Sequence, residues 1–381
     1  MRNIVGQTPR GKDFFPREQI IKKIYRRLDA GNHVYISAPR RSGKTAIMRY
    51  LEDNPRAGYV FLYISVEDID DTEKYFELLS EELLESSAVS QLIKASEKAQ
   101  SLFAHFAEHI KKVKVWNVEL ETQQREKPKY SRVFEDLMRR MDTDEFRIVL
   151  LIDEFPVALE RIAKEQGDEA GVEFLHINRS IRQRAQRGLQ FIYTGSIGLP
   201  NIAGKLKATA TINDLNIIEV PPLSREEGKQ FTRQLLKTYG VRHSPKTIDY
   251  MLDQLRWLMP FFIQLIVQML IDEYELEPRV ISKADVDQVI EKASNHRNNI
   301  YFESYYSRLD KSLTHTESTL AKIILSEIAI KDHIPLDHYG DQREAQSVLE
   351  VLEFDGYINS QGGSYRFNSP ILQLWWRKHA S

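Results

Sequence analysis

Residues 38–45 read Ala38-Pro-Arg-Arg-Ser-Gly-Lys-Thr45, and this stretch decides how the rest of the chain is interpreted. It fits the pattern G-x-x-x-x-G-K-[ST], except that Ala38 stands where the first glycine usually does. The apolar run Val34–Ser37 precedes it, and residues 46–51 have the apolar spacing of a helix. The stretch therefore lies between a predicted strand and a predicted helix, which is the context that this pattern requires.

The residue types in this loop suit the binding of a phosphate chain. Backbone N–H groups at a helix N-terminus attract anions, and Gly43 lets the backbone approach the phosphates closely. Lys44 would bring a positive charge to the β- and γ-phosphates, and Thr45 would place a hydroxyl on Mg²⁺. We therefore predict a nucleotide site; the alternative is a chance match to a basic turn. The predicted binding residues of the loop are Ala38, Pro39, Arg40, Arg41, Ser42, Gly43, Lys44, Thr45 and Ala46.

Composition narrows the class of protein. With 381 residues, 42% of them hydrophobic and 28% charged, the chain is expected to form two or three domains. It contains no cysteine, which excludes disulfides, thiol catalysis and cysteine-ligated zinc. The formal charge of −2 provides no global attraction to nucleic acid. Because membrane-span and signal-peptide patterns are lacking, we expect a cytoplasmic protein without membrane association.

A second segment that suggests chemistry is Arg147-Ile-Val-Leu-Leu-Ile-Asp-Glu-Phe155. Its consecutive apolar residues predict a strand buried on both faces, which is typical of a parallel sheet. The strand ends in Asp153 and Glu154, and such sheets carry their chemistry at the carboxyl ends of their strands. Asp153 would complete the coordination of Mg²⁺, and Glu154 would be the general base that polarises the attacking water. Without the loop, these acids would be interpreted as a solvent-exposed strand end.

Alternation of strands and helices predicts the architecture. Further strands are predicted at Tyr59–Ser65, Leu189–Ser196 and Asn216–Val220. We infer an α/β fold, a five-stranded parallel sheet covered by helices on both faces. Thr194 and Ser196 end the strand expected beside the one that carries the loop, so one hydroxyl could contact the γ-phosphate or the water. Ordinary turn chemistry explains these two hydroxyls equally well.

Residues 86–131 have the least regular pattern. The part from 92 to 110 is predicted to be helical, whereas Val113–Glu121 alternates apolar and polar residues as a half-buried strand would. Residues 122–129 are predicted to form a polar loop. We expect this region to be an insertion that decorates the core.

The pattern becomes helical after Pro221-Pro222. Ser224–Glu227 fits a capping box, and helices are predicted at 225–238, 246–255, 260–273 and 283–293. The last part has the element order of a winged helix, with helices near 316–329 and 342–354 and short strands at 334–336, 357–360 and 365–367. We therefore expect a P-loop core over 1–222, a helical lid over 223–295 and a winged-helix-like domain over 296–381.

The order of these motifs resembles the AAA+/STAND group of P-loop ATPases, especially the predicted archaeal and bacterial ATPases related to origin-recognition-type initiators. Four segments carry the resemblance: Phe15–Glu18, which is similar to an F-x-G-R-E entry motif, Ala38–Thr45, Leu150–Phe155, and Tyr193–Ser196 in the sensor position. The resemblance implies that the Phe14–Arg17 region, with Phe15, Pro16 and Arg17, lines an adenine pocket.

Two departures from the family pattern bear on the rate of turnover. Trp257–Phe261 lies where a sensor arginine often accompanies a proline, and it contains no arginine. The sequence between Ser196 and Asn216 also lacks an arginine that could act as a finger across a subunit interface. Because such an arginine can raise the rate by orders of magnitude, we expect slow turnover and the behaviour of a nucleotide switch.

The sequence therefore predicts a cytoplasmic, Mg²⁺-dependent ATPase that binds ATP and ADP, with a protein partner or self-association left open. One alternative is a nucleotide-dependent DNA-binding adaptor or scaffold with little turnover, and a weaker one is a P-loop kinase. DNA binding is weakly supported because the presumed recognition helix, Arg343–Asp355, carries one basic and four acidic residues.

Overall fold

In a computed structural model of the chain, residues 1–119, 128–141, 143–184, 188–340 and 342–380 are described. The chain divides into two compact units, and each is assembled from separate pieces of sequence. The sheet unit comprises Arg17–Ser37 and Ile47–Glu219. The helical unit comprises Met1–Pro16, Ala38–Ala46 and the chain from Val220 onward. The domain boundaries at residues 222 and 295 stay a prediction.

The sheet unit is built on five parallel strands in the order β2-β3-β4-β1-β5, which confirms the predicted α/β fold class. The strands are β1 Val34–Ser37, β2 Tyr59–Ser65, β3 Arg147–Asp153, β4 Leu189–Thr194 and β5 Asn216–Glu219. The helices in the same part of the sequence are α1 Glu18–Asp29, α2 Lys44–Asp53, α3 Thr72–Glu85, α4 Ser87–Ala95, α5 Glu97–Glu119, α6 Tyr130–Arg140, α7 Phe155–Gln166, α8 Asp168–Arg184 and α9 Leu199–Lys205.

Strand β3 is an inner strand of the sheet and is buried on both faces. Residues 148–152 are completely buried, as the unbroken apolar run predicts for a strand covered on both faces. It pairs along its whole length with β2, from Tyr59 opposite Arg147 to Ser65 opposite Asp153. On its other side it pairs with β4, which in turn pairs with β1. The acidic end of β3 is therefore held in a fixed position by strands on both sides.

The strand predicted at Val113–Glu121 is wrong, because helix α5 continues through this segment to Glu119. Phe103, Phe106, Ile110 and Val113 are all buried in the core of the sheet unit. Their spacing of three to four residues is the helical period, and it overrides the short alternation after residue 113. Of the polar loop predicted at 122–129, residues 122–127 lie outside the described part.

His33, just before β1, is a buried histidine whose two ring nitrogens are both used. Its Nδ1 accepts the N–H of Phe191 at 3.1 Å, and its Nε2 lies 3.0 Å from the carbonyl oxygen of Arg182. This arrangement fits a neutral ring with its proton on Nε2. Burial, the largest cause, lowers the pKa of His33 from 6.5 to about 4.

We expect this histidine to make the free energy of unfolding depend on pH. The pKa of His33 is lower in the folded than in the unfolded state, so protonation favours unfolding. The stabilisation that the neutral ring provides is therefore fully present above pH 6.5 and is lost as the pH falls to about 4. The loss amounts to about 3 kcal/mol. Urea unfolding between pH 7 and pH 4 should show a flatter pH dependence for His33→Gln than for the wild type. The control His176→Gln, at an exposed site on α8, should keep the wild-type slope. An unchanged slope in His33→Gln would contradict the assignment.

The helical unit contains a group of four helices followed by a smaller mixed segment. Its helices are α10 Arg225–Thr238, α11 Pro245–Leu255, α12 Pro260–Leu276, α13 Lys283–Ala293, α14 Glu303–Ser312, α15 His315–Lys331, α16 Arg343–Phe354 and α17 Pro370–His379. The capping box at the start of α10 is confirmed, since Ser224 and Glu227 bond to each other's backbone N–H groups. No helix in the described part of the chain is long and apolar enough to cross a membrane.

The last segment has the predicted element order. The strands β6 Ile334–Pro335, β7 Ile358–Asn359 and β8 Ser364–Phe367 form a small antiparallel sheet with β8 in the middle. Trp375 and Trp376 on α17 are buried, so both indole rings pack in the core of this unit.

Candidate functional site

The loop between β1 and α2 has the backbone geometry that its sequence predicts. Strand β1 ends at Ser37 and α2 begins at Lys44. Gly43 has a φ of +92°, a left-handed conformation that favours glycine over residues with a side chain. The first turn of a helix has backbone N–H groups without an intrahelical partner. The loop therefore leads directly into an anion-attracting helix terminus.

Two polar groups in this loop are buried. The ammonium of Lys44 donates to the carbonyl oxygens of Ala38 at 2.8 Å and Pro39 at 3.0 Å, and the residue is 8% exposed. The hydroxyl of Ser42 is buried without a hydrogen-bond partner among the described residues. Such a hydroxyl costs free energy unless a ligand or water bonds to it. The loop thus contains a buried cation, Lys44, and a hydroxyl, Ser42, that is available to donate a hydrogen bond. Both groups suit the binding of phosphate.

The two arginines of the loop contact other parts of the helical unit. The guanidinium of Arg40 donates to the carbonyl oxygen of Ser304 at 3.3 Å. The guanidinium of Arg41 lies 3.7 Å from the ring centroid of Phe261 and also contacts Ser304 and Tyr301 at 3.5 Å. A planar guanidinium over an aromatic ring is a favourable cation–π arrangement. The loop is therefore packed on α12 and on the start of α14.

The acid pair at the end of β3 is held by its neighbours. The hydroxyl of Tyr63 on β2 donates to Asp153 Oδ2 at 2.7 Å, and the N–H of Glu154 lies 3.1 Å from Asp153 Oδ1. Burial and the charge of Asp153 raise the pKa of Tyr63, so its hydroxyl keeps its proton and remains a donor. Asp153 itself is 4% exposed. Tyr63 could not be predicted as a site residue, because nothing in the sequence distinguishes it from other aromatic strand residues.

Glu154 bonds to the segment that follows β4. The N–H of Ser196 donates to Glu154 Oε2 at 2.7 Å. A side chain on Gly195 would place its Cβ 2.5 Å from Pro156 Cδ, so only glycine allows this approach. Glu154 has a φ of 62°, which is uncommon outside glycine and is seen at functional sites. The carboxylate is thus held by a backbone donor that motif analysis cannot identify.

The predicted sensor residues lie at the end of β4 and just after it. Thr194 is fully buried, and its hydroxyl donates to the carbonyl oxygen of Ile36 on β1 at 3.3 Å. Ser196 contacts Glu154 through its backbone N–H. A direct role of either hydroxyl at a phosphate stays a prediction.

The sheet brings the carboxyl ends of β1 and β3 to the same edge. Strand β4 lies between them, so the two strand ends are separated by two strand spacings, about 10 Å.

Of the predicted adenine-pocket residues, Phe15 packs on Phe231 with ring centroids 5.0 Å apart, Pro16 is exposed and Arg17 is buried. Their contact with a base stays a prediction.

The predicted site residues include oxygen ligands of the kind that magnesium prefers. Among the described residues, no group of three or more His, Asp or Glu side chains could hold a metal ion by itself. Mg²⁺ is commonly held by one or two protein oxygens together with substrate phosphates and water. The carboxylate of Asp153 and the hydroxyl of Thr45 are oxygen ligands of this kind.

Comparison with solved structures identifies the fold. The chain is similar to the Walker-type ATPase PabY2304 of Pyrococcus abyssi, with 16% identity, 97% of each chain covered and a TM-score of 0.60. The chain has the fold of a Walker-type ATPase. It is also similar to the ORC2 protein of Aeropyrum pernix in its ADPNP–ADP complexes, with 12% identity, 96% of this chain and 94% of that chain covered, and a TM-score of 0.53.

No family model and no curated protein sequence matches the chain. At identities of 12–16% the likeness concerns the fold alone. At the level of the fold, this similarity confirms the predicted resemblance to P-loop ATPases of the origin-recognition type. The roles of the individual site residues stay predictions.

Proposed function

We propose that the chain binds ATP and hydrolyses it slowly with Mg²⁺, acting as a nucleotide switch. The observation that carries this proposal is the buried Lys44 in the first turn of α2, beside the unpartnered hydroxyl of Ser42. A buried cation and an available hydrogen-bond donor at a helix N-terminus favour the binding of a phosphate chain. The fold shared with Walker-type ATPases supports the same conclusion.

Each residue of the proposed site has a distinct task. Lys44 and the N–H groups of the loop would bind oxygens of the β- and γ-phosphates. Thr45 and Asp153 would hold Mg²⁺, with Tyr63 orienting the carboxylate of Asp153. When bound, Mg²⁺ neutralises charge on the phosphate oxygens.

Glu154 is the proposed general base. Its carboxylate would take a proton from water while the water oxygen forms a bond to the γ-phosphorus. The bond from that phosphorus to the bridging oxygen breaks at the same time, leaving ADP and phosphate. The hydrogen bond from Ser196 fixes the orientation of Glu154, and it links the carboxylate to the segment after β4. Slow turnover is expected because no arginine occurs between Ser196 and Asn216.

Equilibrium binding and product analysis on the full chain test the proposal. The chain should bind ATP and ADP, and with Mg²⁺ it should release phosphate at the low end of the usual range of about 1–10³ s⁻¹. Single-turnover reactions with and without DNA separate this function from that of an adaptor, which would bind ATP and DNA without turnover. Transfer of the phosphoryl group to a small molecule would instead establish a kinase. Failure to bind either nucleotide would contradict the proposal.

A further inference from the structure

The helical unit contains a buried ion pair that the proposed reaction does not use. Arg308 lies on α14 and Asp355 directly follows α16, and each residue is 7% exposed. Arg308 Nε lies 3.4 Å from Asp355 Oδ2, and Nη2 lies 3.5 Å from Oδ1. Charge-assisted hydrogen bonds are normally about 2.7–2.9 Å long. Arg308 Nε has no hydrogen-bond partner in the described part of the chain, so this guanidinium is incompletely bonded.

This pair borders the loop of residues 38–45. A Cβ built on Gly356, next to Asp355, would lie 2.7 Å from the Cβ of Pro39, so the backbone at Gly356 packs closely against the ring of Pro39. Ser304, which contacts both arginines of the loop, lies four residues before Arg308 and therefore on the same face of α14.

The charges of the loop and of the pair act on one another. Burial raises the pKa of Asp355, while the charges of Arg308 and, next, Lys44 oppose this shift. The carboxylate of Asp355 therefore interacts with the ammonium of the loop as well as with the guanidinium of α14. Because the contacts of Arg308 with Asp355 are long, an added anion would find positive charge on Arg308 that is only partly compensated.

We propose that Arg308 is a phosphate-binding residue of this loop, paired with Asp355 until nucleotide binds. The proposal rests on the proposed function, since the anion is the phosphate chain of a nucleotide. Guanidinium groups bind phosphate through two parallel hydrogen bonds, and the long contacts to Asp355 leave that capacity available. Arg308 would then supply from α14 the arginine that Trp257–Phe261 lacks.

The proposal requires Asp355 to act as a competitor of the nucleotide. Its carboxylate and the phosphates cannot both be paired with the guanidinium of Arg308, so binding must separate Asp355 from Arg308. Any interaction that is present only in the empty state lowers the affinity for the ligand. The two members of the pair should therefore affect nucleotide affinity in opposite directions.

Equilibrium titration of the full chain with ATP and Mg²⁺ measures this difference. Arg308→Gln should weaken binding about tenfold or more, because a charged hydrogen bond to phosphate is lost. Asp355→Asn should tighten binding several-fold, and Arg308→Lys should restore part of the affinity lost in Arg308→Gln. The control variants Arg279→Gln and Asp285→Asn, from another ion pair in the same unit, should leave the affinity unchanged.

A double variant keeps the test valid if Arg308→Gln alone fails to fold. Arg308→Gln combined with Asp355→Asn removes both charges of the pair, so neither is left unpaired, and it should bind ATP about tenfold more weakly than Asp355→Asn. Equal affinity of these two variants, or weaker binding by Asp355→Asn than by the wild type, would overturn the inference. Failure of the wild type to bind ATP would instead contradict the proposed function.

Discussion

Replacing Lys44 by alanine is expected to abolish ATP binding, with an affinity at least a hundredfold below that of the wild type. The ammonium of Lys44 is buried and bonded to carbonyl oxygens of its own loop, so it is already placed where the phosphates would lie. Its loss removes a charge-assisted bond to the phosphates and one of the cations that balance their negative charge. Calorimetric titration with ATP and with ADP measures the effect.

A surface lysine provides the matched control for this experiment. Lys23→Ala, at an exposed position of α1, removes the same charge without touching the loop and should retain wild-type affinity. Thermal unfolding of both variants shows whether they are folded. Wild-type affinity in a folded Lys44→Ala variant would rule out the loop as the nucleotide site.

Replacing Glu154 by glutamine is expected to stop hydrolysis while preserving ATP binding. The amide has the shape of the carboxylate, and its oxygen can still accept the N–H of Ser196. It cannot take a proton from water, and removal of a general base lowers rates by about 10²–10⁴-fold. Single-turnover measurement of phosphate release, combined with ATP titration, separates the two effects.

The control for this variant is Glu165→Gln, at an exposed position near the end of α7. It makes the same chemical change away from the end of β3 and should hydrolyse ATP at the wild-type rate. If Glu154→Gln released phosphate as fast as the wild type, another group would have to be the base.

The sequence predicted those features that depend on regular patterns. The apolar run of β3 indicated a doubly covered strand, and the residues of the loop indicated a strand–loop–helix unit. The segment after residue 113 was mispredicted because nine residues can show alternation by chance. Only the buried positions Phe103 to Val113 reveal that the preceding helix continues.

The contacts that hold the site were beyond prediction from one sequence. Tyr63 and Asp153 are 90 residues apart, and Ser196 bonds to Glu154 through a backbone N–H that every residue except proline has. The pairing of Arg308 with Asp355 depends on how α14 and the end of α16 pack. No spacing rule relates residues brought together in this way, since their distance is fixed by tertiary structure.

The division of the chain into interleaved units has a consequence for its synthesis. The helical unit draws on the first 16 residues, on the nine residues from Ala38 to Ala46, and on the chain from Val220 onward. A ribosome releases these pieces at widely separated times, so this unit cannot be completed until the segment that begins at Val220 has been translated. Cutting the gene once, after the codon for Glu219, would leave the whole sheet unit on the first fragment but divide the helical unit between the two fragments.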